Sequence, residues 1–268
     1  MKGQVWAVTM IRDEVDVAVP NLKHLVTEGV NGFIVADNLS SDGTREQLDI
    51  FAKECPVPMI ILDDPVIGYH QGRKMTDLAR LAASKGAQWI VPFDADELWC
   101  GRGDTLANIL RHANHPVVAV NTWTHIETGY DLPDTNPFKG LIYRNPNASS
   151  LPKVCFRFNP KWQIAHGNDA IIDGVEYVKH TVYDDLEIRH FPMRGVEQFI
   201  EKMRRGAHAM LNSPELPESI CSHWRAYGRI LDRHGADALR MIYFSQFFSA
   251  EPFRQGLVKD PAPWCKQR

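Results

Sequence analysis

Two aspartates, Asp94 and Asp96, directly follow the apolar segment 89–93 and are separated by one residue. The apolar segment predicts a buried strand, and a pair of carboxylates at its end has no packing role there. Uncompensated charges in such a position are costly, and a divalent cation is an efficient compensator. Carboxylate oxygens suit Mn²⁺ or Mg²⁺, which usually keeps open positions for phosphate oxygens. The spacing therefore predicts a metal site; the alternative is that Asp96 only caps a following turn.

Two more polar clusters follow predicted strands. Arg12 and Glu14 come just after the first strand, and Asp37 comes at the end of the second. In open α/β sheets, ligands bind at the carboxyl ends of the strands. We therefore expect these clusters to meet the aspartate pair in one crevice. The alternatives are that Arg12 is a surface charge and that Asp37 only forms a turn.

The elements that position these residues alternate between strand and helix over the first hundred residues. Apolar runs predict strands at 5–10, 30–36, 58–62 and 89–93, and helical spacing predicts helices at 17–27, 44–53 and from about 75 to 86. Gly29 is expected to end the first helix, and Thr44-Arg45-Glu46-Gln47 predicts a capping box for the second. Repeated strand–helix units predict an α/β fold with a Rossmann-type, mostly parallel sheet and helices on both faces.

The second half of the chain is less regular. The pattern predicts a helix at 105–112, strands at 116–123, 153–158 and 186–191, a long loop at 127–150, and helices at 196–211, 224–231 and 236–247. A loop of that length is usually a lid, a binding loop or a disordered segment. We predict one domain at 1–195, with halves at about 1–100 and about 101–195, and a helical C-terminal extension at 196–268.

The segment 33–44, FIVADNLSSDGT, completes a set of motifs with Arg12-Asp13-Glu14 and Asp94-Ala95-Asp96-Glu97. In order and spacing, this set resembles the donor half of family 2-type glycosyltransferases with a GT-A fold. The resemblance covers roughly residues 4–100 and extends more loosely to 189–194. It implies that the domain at 1–195 is catalytic, with a donor half at about 1–100 and an acceptor half at about 101–195. It also implies transfer of a sugar from a nucleotide-sugar to an acceptor hydroxyl, with inversion at the anomeric carbon. UDP is favoured over GDP and dTDP as the nucleotide. The family often has Asn-Glu where this chain has Asp13-Glu14.

The resemblance also implies roles for individual residues. Those assigned to donor binding are Thr9, Arg12, Glu14, Asp37, Asn38, Arg73, Lys74, Asp94 and Ala95. Among them, Asp37 is expected to contact the base or ribose, and Arg73 or Lys74 to neutralise phosphate. His190 is expected to join Asp94 and Asp96 in the metal shell or to touch the pyrophosphate. The alternative for His190 is a core histidine with satisfied hydrogen bonds.

An inverting reaction needs a base that deprotonates the acceptor hydroxyl. The polar turn at 164–169 is the best source, with Asp169 as first choice and His166 as second. The alternative is an ordinary Asn-Asp turn. Reserve candidates for the base are Glu127, Asp131 and Asp134, and candidates for stacking on a sugar ring, or else for the core, are Trp123, Tyr130, Trp162 and Trp224.

Composition excludes some functions. The net charge of −3 gives no general attraction to nucleic acid, and the basic group Lys202, Arg204 and Arg205 is interpreted as a solvated helix face. The dinucleotide and P-loop glycine motifs are absent. The acceptor stays open between a glycan, a lipid-linked sugar, a protein, a small molecule and a modified nucleic acid, as does the oligomeric state. A non-catalytic nucleotide- or glycan-binding protein and, less favoured, a metal-dependent phosphohydrolase are the alternative functions.

The cysteines and the hydropathy indicate the compartment. The five cysteines are Cys55, Cys100, Cys155, Cys221 and Cys265. Their odd number and wide spacing predict neither a disulfide framework nor a zinc site, so the reducing cytoplasm is the expected location. No apolar run reaches the ~18 residues that span a bilayer. Contact with a membrane is therefore expected only from the water side.

Overall fold

The computed structural model describes residues 3–261. The strands are β1 (Gln4–Ile11), β2 (Gly32–Asp37), β3 (Met59–Asp63), β4 (Ala87–Pro92), β5 (Glu97–Gly101), β6 (Val117–Val120), β7 (Thr122–Thr124), β8 (Glu127–Thr128), β9 (Tyr143–Arg144), β10 (Lys153–Arg157), β11 (Trp162–Ile164), β12 (Ile171–Asp173), β13 (Glu176–Tyr177), β14 (Thr181–Val182), β15 (Leu186–His190), β16 (Phe248–Ser249) and β17 (Val258–Lys259). The helices are α1 (Ala18–Thr27), α2 (Thr44–Glu54), α3 (Gln71–Ser84), α4 (Leu106–Arg111), α5 (Pro137–Gly140), α6 (Val196–Leu211) and α7 (Ser222–Gln246), and His166–Asn168 form a 3-10 turn.

The central sheet has seven strands in the order β3-β2-β1-β4-β10-β6-β14. Strand β10 runs antiparallel to both of its neighbours, and the other strands are parallel to one another. Every strand and helix predicted in the first hundred residues is present. The predicted α/β class, with a mostly parallel sheet flanked by helices and a helical C-terminal extension, is confirmed.

Both faces of the sheet are covered, because its strands alternate their apolar side chains. Val5 and Ala7 of β1 pack with α1, α2 and α4 on one face. Trp6 and Val8 pack on the other face with the apolar stripe of α3, which includes Met75. This two-sided burial explains why the strands are continuous apolar runs.

The turn after β4 is fixed from below by α1. Asn21, which is fully buried, donates its side-chain amide to the carbonyl oxygens of Ala95 and Glu97, each at 2.9 Å. The chain then enters β5, which pairs antiparallel with β15, and β15 ends at His190. Tertiary structure thus brings the aspartate pair and His190 to the same edge of the sheet.

The C-terminal extension is a pair of packed helices. Phe199 and Met203 of α6 form an apolar cluster with Leu239 and Tyr243 of α7. The two predicted helical pieces form the two parts of α7, which are separated by a break in helical geometry at Gly235, where φ is 75°. The domain boundary near residue 195 stays a prediction.

Local structure differs from the prediction in the segment 127–150 and at the start of α2, and it agrees at the end of α1. The predicted loop 127–150 is wrong as a purely irregular segment, because it contains β8, α5 and β9 and buries Phe138 and Tyr143. The capping box is also wrong: Gly43 precedes the first helical residue, and Thr44 hydrogen-bonds to Asp42 instead. Gly29 does follow α1, with a φ of 80° that favours glycine.

Cys55, Cys155 and Cys221 form no disulfide with the described residues, and Cys100 Sγ lies 3.5 Å from His24 Nε2. Cys265 lies outside the described residues. Among residues 3–261, no helix combines the length and the apolar character needed to cross a membrane.

Candidate functional site

A cavity of about 470 Å³ opens at the carboxyl ends of β1 and β4. Its walls come from the loop after β1, the turn after β4, the start of α3, the segment after β15, and α6 with the start of α7. The lining combines charged and amide side chains with the aromatic rings of Tyr69 and Trp224. The lining residues that matter below are Arg12, Glu14, Asn38, Tyr69, Gln71, Asp94, Ala95, Asp96, Gly167, His190, Met193, Lys202, Arg205, Gly206 and Trp224.

Asp94 is held in place by three side chains. Its Oδ1 accepts from the amides of Gln71 at 3.4 Å and Asn168 at 3.2 Å, and its Oδ2 accepts from the Lys153 ammonium at 2.8 Å. The carboxylate is one-third exposed, so one side remains open to the cavity. This geometry orients Asp94 toward a ligand rather than toward the core.

Asp96 is more deeply buried, with 6% of its side chain exposed. Its Oδ2 accepts from the Lys202 ammonium at 2.6 Å, while Arg194 lies at 3.7 Å and His190 Nε2 lies 3.7 Å from Oδ1. Burial alone raises the pKa of Asp96, but the opposite charge of Lys202, with His190 and Arg194, outweighs it and keeps the pKa below its usual range. Asp96 is therefore ionised at neutral pH.

Glu97 follows immediately and behaves differently. Its side chain is fully buried and lies 3.0 Å from the Lys153 ammonium. Burial raises the pKa of Glu97 to about 8, although Lys153 opposes the rise. Lys153 therefore bridges two acidic side chains, of which the buried Glu97 has the raised pKa and Asp94 faces the cavity.

Arg194 ties the loop after β1 to the segment after β15. It is 1% exposed and binds Glu14 and Asp16, the latter at 2.7 Å. From α6, Arg205 reaches Asp13 at 3.4 Å. The C-terminal extension is thus fastened over the strand ends by buried ion pairs.

The predicted donor-binding residues fall into two groups. Arg12, Glu14, Asn38, Asp94 and Ala95 line the cavity. Thr9 and Asp37 are buried and do not line the cavity. Asp37 Oδ1 has no hydrogen-bond partner in the described residues. Lys74 binds Asp64 at 2.5 Å and the carbonyl of Val66 at 2.6 Å, which fixes the loop before α3.

A second cavity, of about 410 Å³, lies on the other side of the turn at 166–169. Arg73, His166 and Asp169 line this second cavity, whereas Gly167 lines the first one and Asn168 bonds to Asp94. Both predicted bases therefore line the second cavity and not the first, although the His166 ring stacks on Tyr69 of the first cavity, with ring centroids 5.7 Å apart. Asp169 or His166 as the base stays a prediction.

A metal ion at Asp96 and His190 is chemically reasonable. Burial lowers the pKa of His190 to about 4, against the attraction of Asp96, so the ring is neutral and able to ligate at pH 7. Within residues 3–261, no three acidic, histidine or cysteine side chains are grouped closely enough to hold an ion alone. The donor atoms suit Mn²⁺ or Mg²⁺ if phosphate oxygens complete the shell, and the metal itself stays a prediction.

Several residues at the site were not predicted. Tyr69 and Gln71 line the cavity. Lys153 and Asn168 bind Asp94, and Arg194 binds Glu14. The interpretation of Lys202 and Arg205 as a solvated helix face is wrong, because both reach carboxylates at the strand ends. Only Arg204 points to solvent, where it pairs with Glu201. A usable signal was the stripe Lys202, Gly206 and Ala209, whose spacing of four and three places them on one helix face.

The aromatic candidates also separate. Trp224 lines the first cavity and meets Tyr69 edge to face, with ring centroids 5.2 Å apart. Trp123 packs under Arg144 at 4.3 Å, and Trp162 donates to Asp173 at 3.2 Å. Only Trp224, among the four candidates, lies where a donor or acceptor sugar in this cavity would contact it.

The amino-acid sequence matches no protein-family model and no curated protein. The fold is similar to solved structures of S. aureus TarS. Residues 1–349 in complex with UDP are 14% identical, with a TM-score of 0.41 over 94% of this chain and 78% of that one. The same region in complex with UDP-GlcNAc is 13% identical, with a TM-score of 0.44 over 90% and 75% of the two chains. At these identities the likeness concerns the fold alone.

Proposed function

We propose that this protein transfers a sugar from a nucleotide-sugar donor, with UDP as the favoured nucleotide, to an acceptor hydroxyl. The observation that carries the proposal is the meeting of Asp94 and Asp96, at the end of β4, with the cation of Lys202 in one cavity. The two acids could hold a divalent cation, and this cation together with the Lys202 ammonium would compensate the negative charge that grows on a diphosphate leaving group. The order of the sequence motifs supports the same reaction.

A divalent cation would be held by Asp96 and His190, with Asp94 beside them. Bound there, Mn²⁺ or Mg²⁺ would supply positive charge to the leaving diphosphate. Lys153 balances the negative charge of Asp94 and leaves the exposed side of the carboxylate free to contact a ligand. These assignments make metal dependence part of the proposal.

The remaining residues divide the cavity between nucleotide and sugar. Arg12 and Asn38 lie on the side of β1 and β2, where the nucleotide would bind. Asn38 is fixed by donating its amide to the carbonyl oxygens of Asp64 at 2.9 Å and Val66 at 2.8 Å. Tyr69 and Trp224 form the aromatic wall, which would exclude water and pack on a sugar ring.

The test begins with thermal unfolding in the presence of UDP, GDP, dTDP and CMP, each with Mn²⁺ or EDTA. A ligand that binds only the folded state raises its stability by mass action. We expect one nucleotide, UDP first, to raise the unfolding temperature, and the matching nucleotide-sugars to release their nucleotide with candidate acceptors. No shift with any nucleotide would refute the donor site. Binding without sugar release or transfer, under every acceptor class, would favour the non-catalytic alternative.

A further inference from the structure

Three cations border the aspartate pair, but they are not equally available to a ligand. Arg194 is 1% exposed and already shared between Glu14 and Asp16. Lys153 is shared between Asp94 at 2.8 Å and Glu97 at 3.0 Å. Both of these cations are committed to the fold.

Lys202 differs from them. Its side chain lines the cavity and is 19% exposed, and it has one close carboxylate, Asp96, at 2.6 Å. Its second partner is the carbonyl oxygen of Pro192 at 3.2 Å. An ammonium has three donors, so one remains for a group in the cavity without loss of either bond.

The neighbouring side chains support an anionic ligand at this point. Arg12 also lines the cavity, and its buried Nε has no hydrogen-bond partner within the described part of the chain. The nearest carboxylate oxygen in an ion pair with it is Asp13 Oδ2 at 3.9 Å, beyond hydrogen-bond distance, and a buried polar atom without a hydrogen bond is rare in folded proteins. Lys202 and Arg12 therefore offer two positive side chains to one cavity, which matches the two negative charges of a nucleotide-sugar diphosphate.

We propose that Lys202 binds the donor diphosphate directly, so that a nucleoside diphosphate is retained in this cavity even without a divalent cation. This inference rests on the proposed function and adds to it a binding residue on the C-terminal extension. The metal would then act on the departing diphosphate, while α6 supplies a permanent positive charge for binding. The extension thereby becomes part of the donor site rather than a cover over it.

The experiment is titration of UDP and of inorganic pyrophosphate by calorimetry in EDTA, with the full chain. Three variants are compared with the wild type: Lys202→Met, Lys202→Arg and Arg204→Met. Arg204→Met is the matched control, because it removes one positive charge from the same helix at an exposed position. Unfolding temperatures without ligand show whether each variant is folded.

We expect the wild type to bind UDP and pyrophosphate in EDTA, and Lys202→Met to bind both at least about tenfold more weakly. Lys202→Arg should restore most of the affinity, and Arg204→Met should stay within about twofold of the wild type. Wild-type binding that requires Mn²⁺ would overturn the inference but leave the proposed function intact, as would full EDTA binding by a folded Lys202→Met. No nucleotide binding with or without Mn²⁺ would instead overturn the proposed function. If Lys202→Met does not fold, the wild type and Lys202→Arg test the inference: binding by both in EDTA supports it, and failure of the wild type in EDTA or loss of binding in a folded Lys202→Arg overturns it.

Discussion

The acidic and basic side chains of the cavity are positioned in different ways. Asp94 and Asp96 have short side chains and directly follow the buried strand β4. Their cations have long side chains and come from distant segments, with Lys153 separated from Asp94 by 59 positions and Lys202 from Asp96 by 106. The sheet fixes the two acids after β4 and Lys153 at the start of β10, whereas the packing of α6 against the sheet fixes Lys202.

This difference separates stability from function. A cation that is committed to buried carboxylates, as Arg194 is, should matter mainly to folding. The carboxylates at the strand ends and the partly exposed Lys202 should matter mainly to ligand binding. Substitutions of the two kinds test that distinction.

The largest effect on stability is expected for Arg194→Met. Its guanidinium is buried between Glu14 and Asp16, so its removal leaves carboxylates without their partner. Breaking a buried pair in this way costs about 3–5 kcal/mol. Urea unfolding should show this loss, and a loss below about 1 kcal/mol would contradict a structural role. The exposed Arg204→Met is the control, with less than about 0.5 kcal/mol expected.

Asp96→Asn should have the opposite profile. The amide keeps the shape of the side chain, but it removes the charge that Lys202 faces and that a metal would need. We expect sugar transfer to fall about a hundredfold or more, with the circular dichroism spectrum of the folded protein retained. Full activity in a folded variant would refute the assignment of Asp96 to a metal or a diphosphate.

The acids could be predicted from the sequence because their signal is local. An apolar run ending in Asp94-Ala95-Asp96 specifies both a buried strand and what lies at its end, and the same holds for Arg12 and Glu14 after β1. The alternation of strands and helices then placed these ends at one edge. The fold class follows from the same periodicity.

The positively charged partners of these acids could not be predicted in the same way. Lys202 sits in a helix whose apolar stripe is clear, and a lysine beside such a stripe ordinarily faces water. Its contact with Asp96 depends on how α6 packs over the sheet, which periodicity does not encode. For the same reason, the sequence predicted that Asp169 and His166 lie near the site, but it did not predict that they line the second cavity.

Gly206→Ala tests whether the aromatic wall depends on α6. A methyl group at this position would lie 2.4 Å from the Trp224 ring, so the ring must move. We expect a loss of about 1–3 kcal/mol in stability together with weaker nucleotide or nucleotide-sugar binding.

Gly228→Ala is the matched control, because its methyl group would lie 2.5 Å from Ala207 between the same two helices. Gly228 is not among the residues that line the first cavity. Unfolding and titration of both variants should show comparable destabilisation and a binding defect for Gly206→Ala only. Equal binding by the two variants would remove Trp224 from the ligand site.

The smallest expected effect concerns pH. His125 is buried against Phe191, with ring centroids 4.2 Å apart, and its Nδ1 lies 2.7 Å from the carbonyl oxygen of Leu141. Burial lowers the pKa of His125 to about 3, whereas an unfolded chain has the ordinary value of about 6.5. Below about pH 6.5, His125 is therefore protonated in the unfolded state and neutral in the folded state. The free energy of unfolding falls as the pH is lowered from 6.5 toward 3.

Between pH 7.5 and 5.5 this single residue should account for a loss of about 1 kcal/mol. His125→Asn retains an amide that can donate to Leu141 but does not titrate, so its stability should change less over that interval by about the same amount. Urea unfolding of both proteins at the two pH values measures the difference. Equal slopes for the two proteins would contradict the prediction, because they would mean that His125 binds protons equally in the folded and unfolded states.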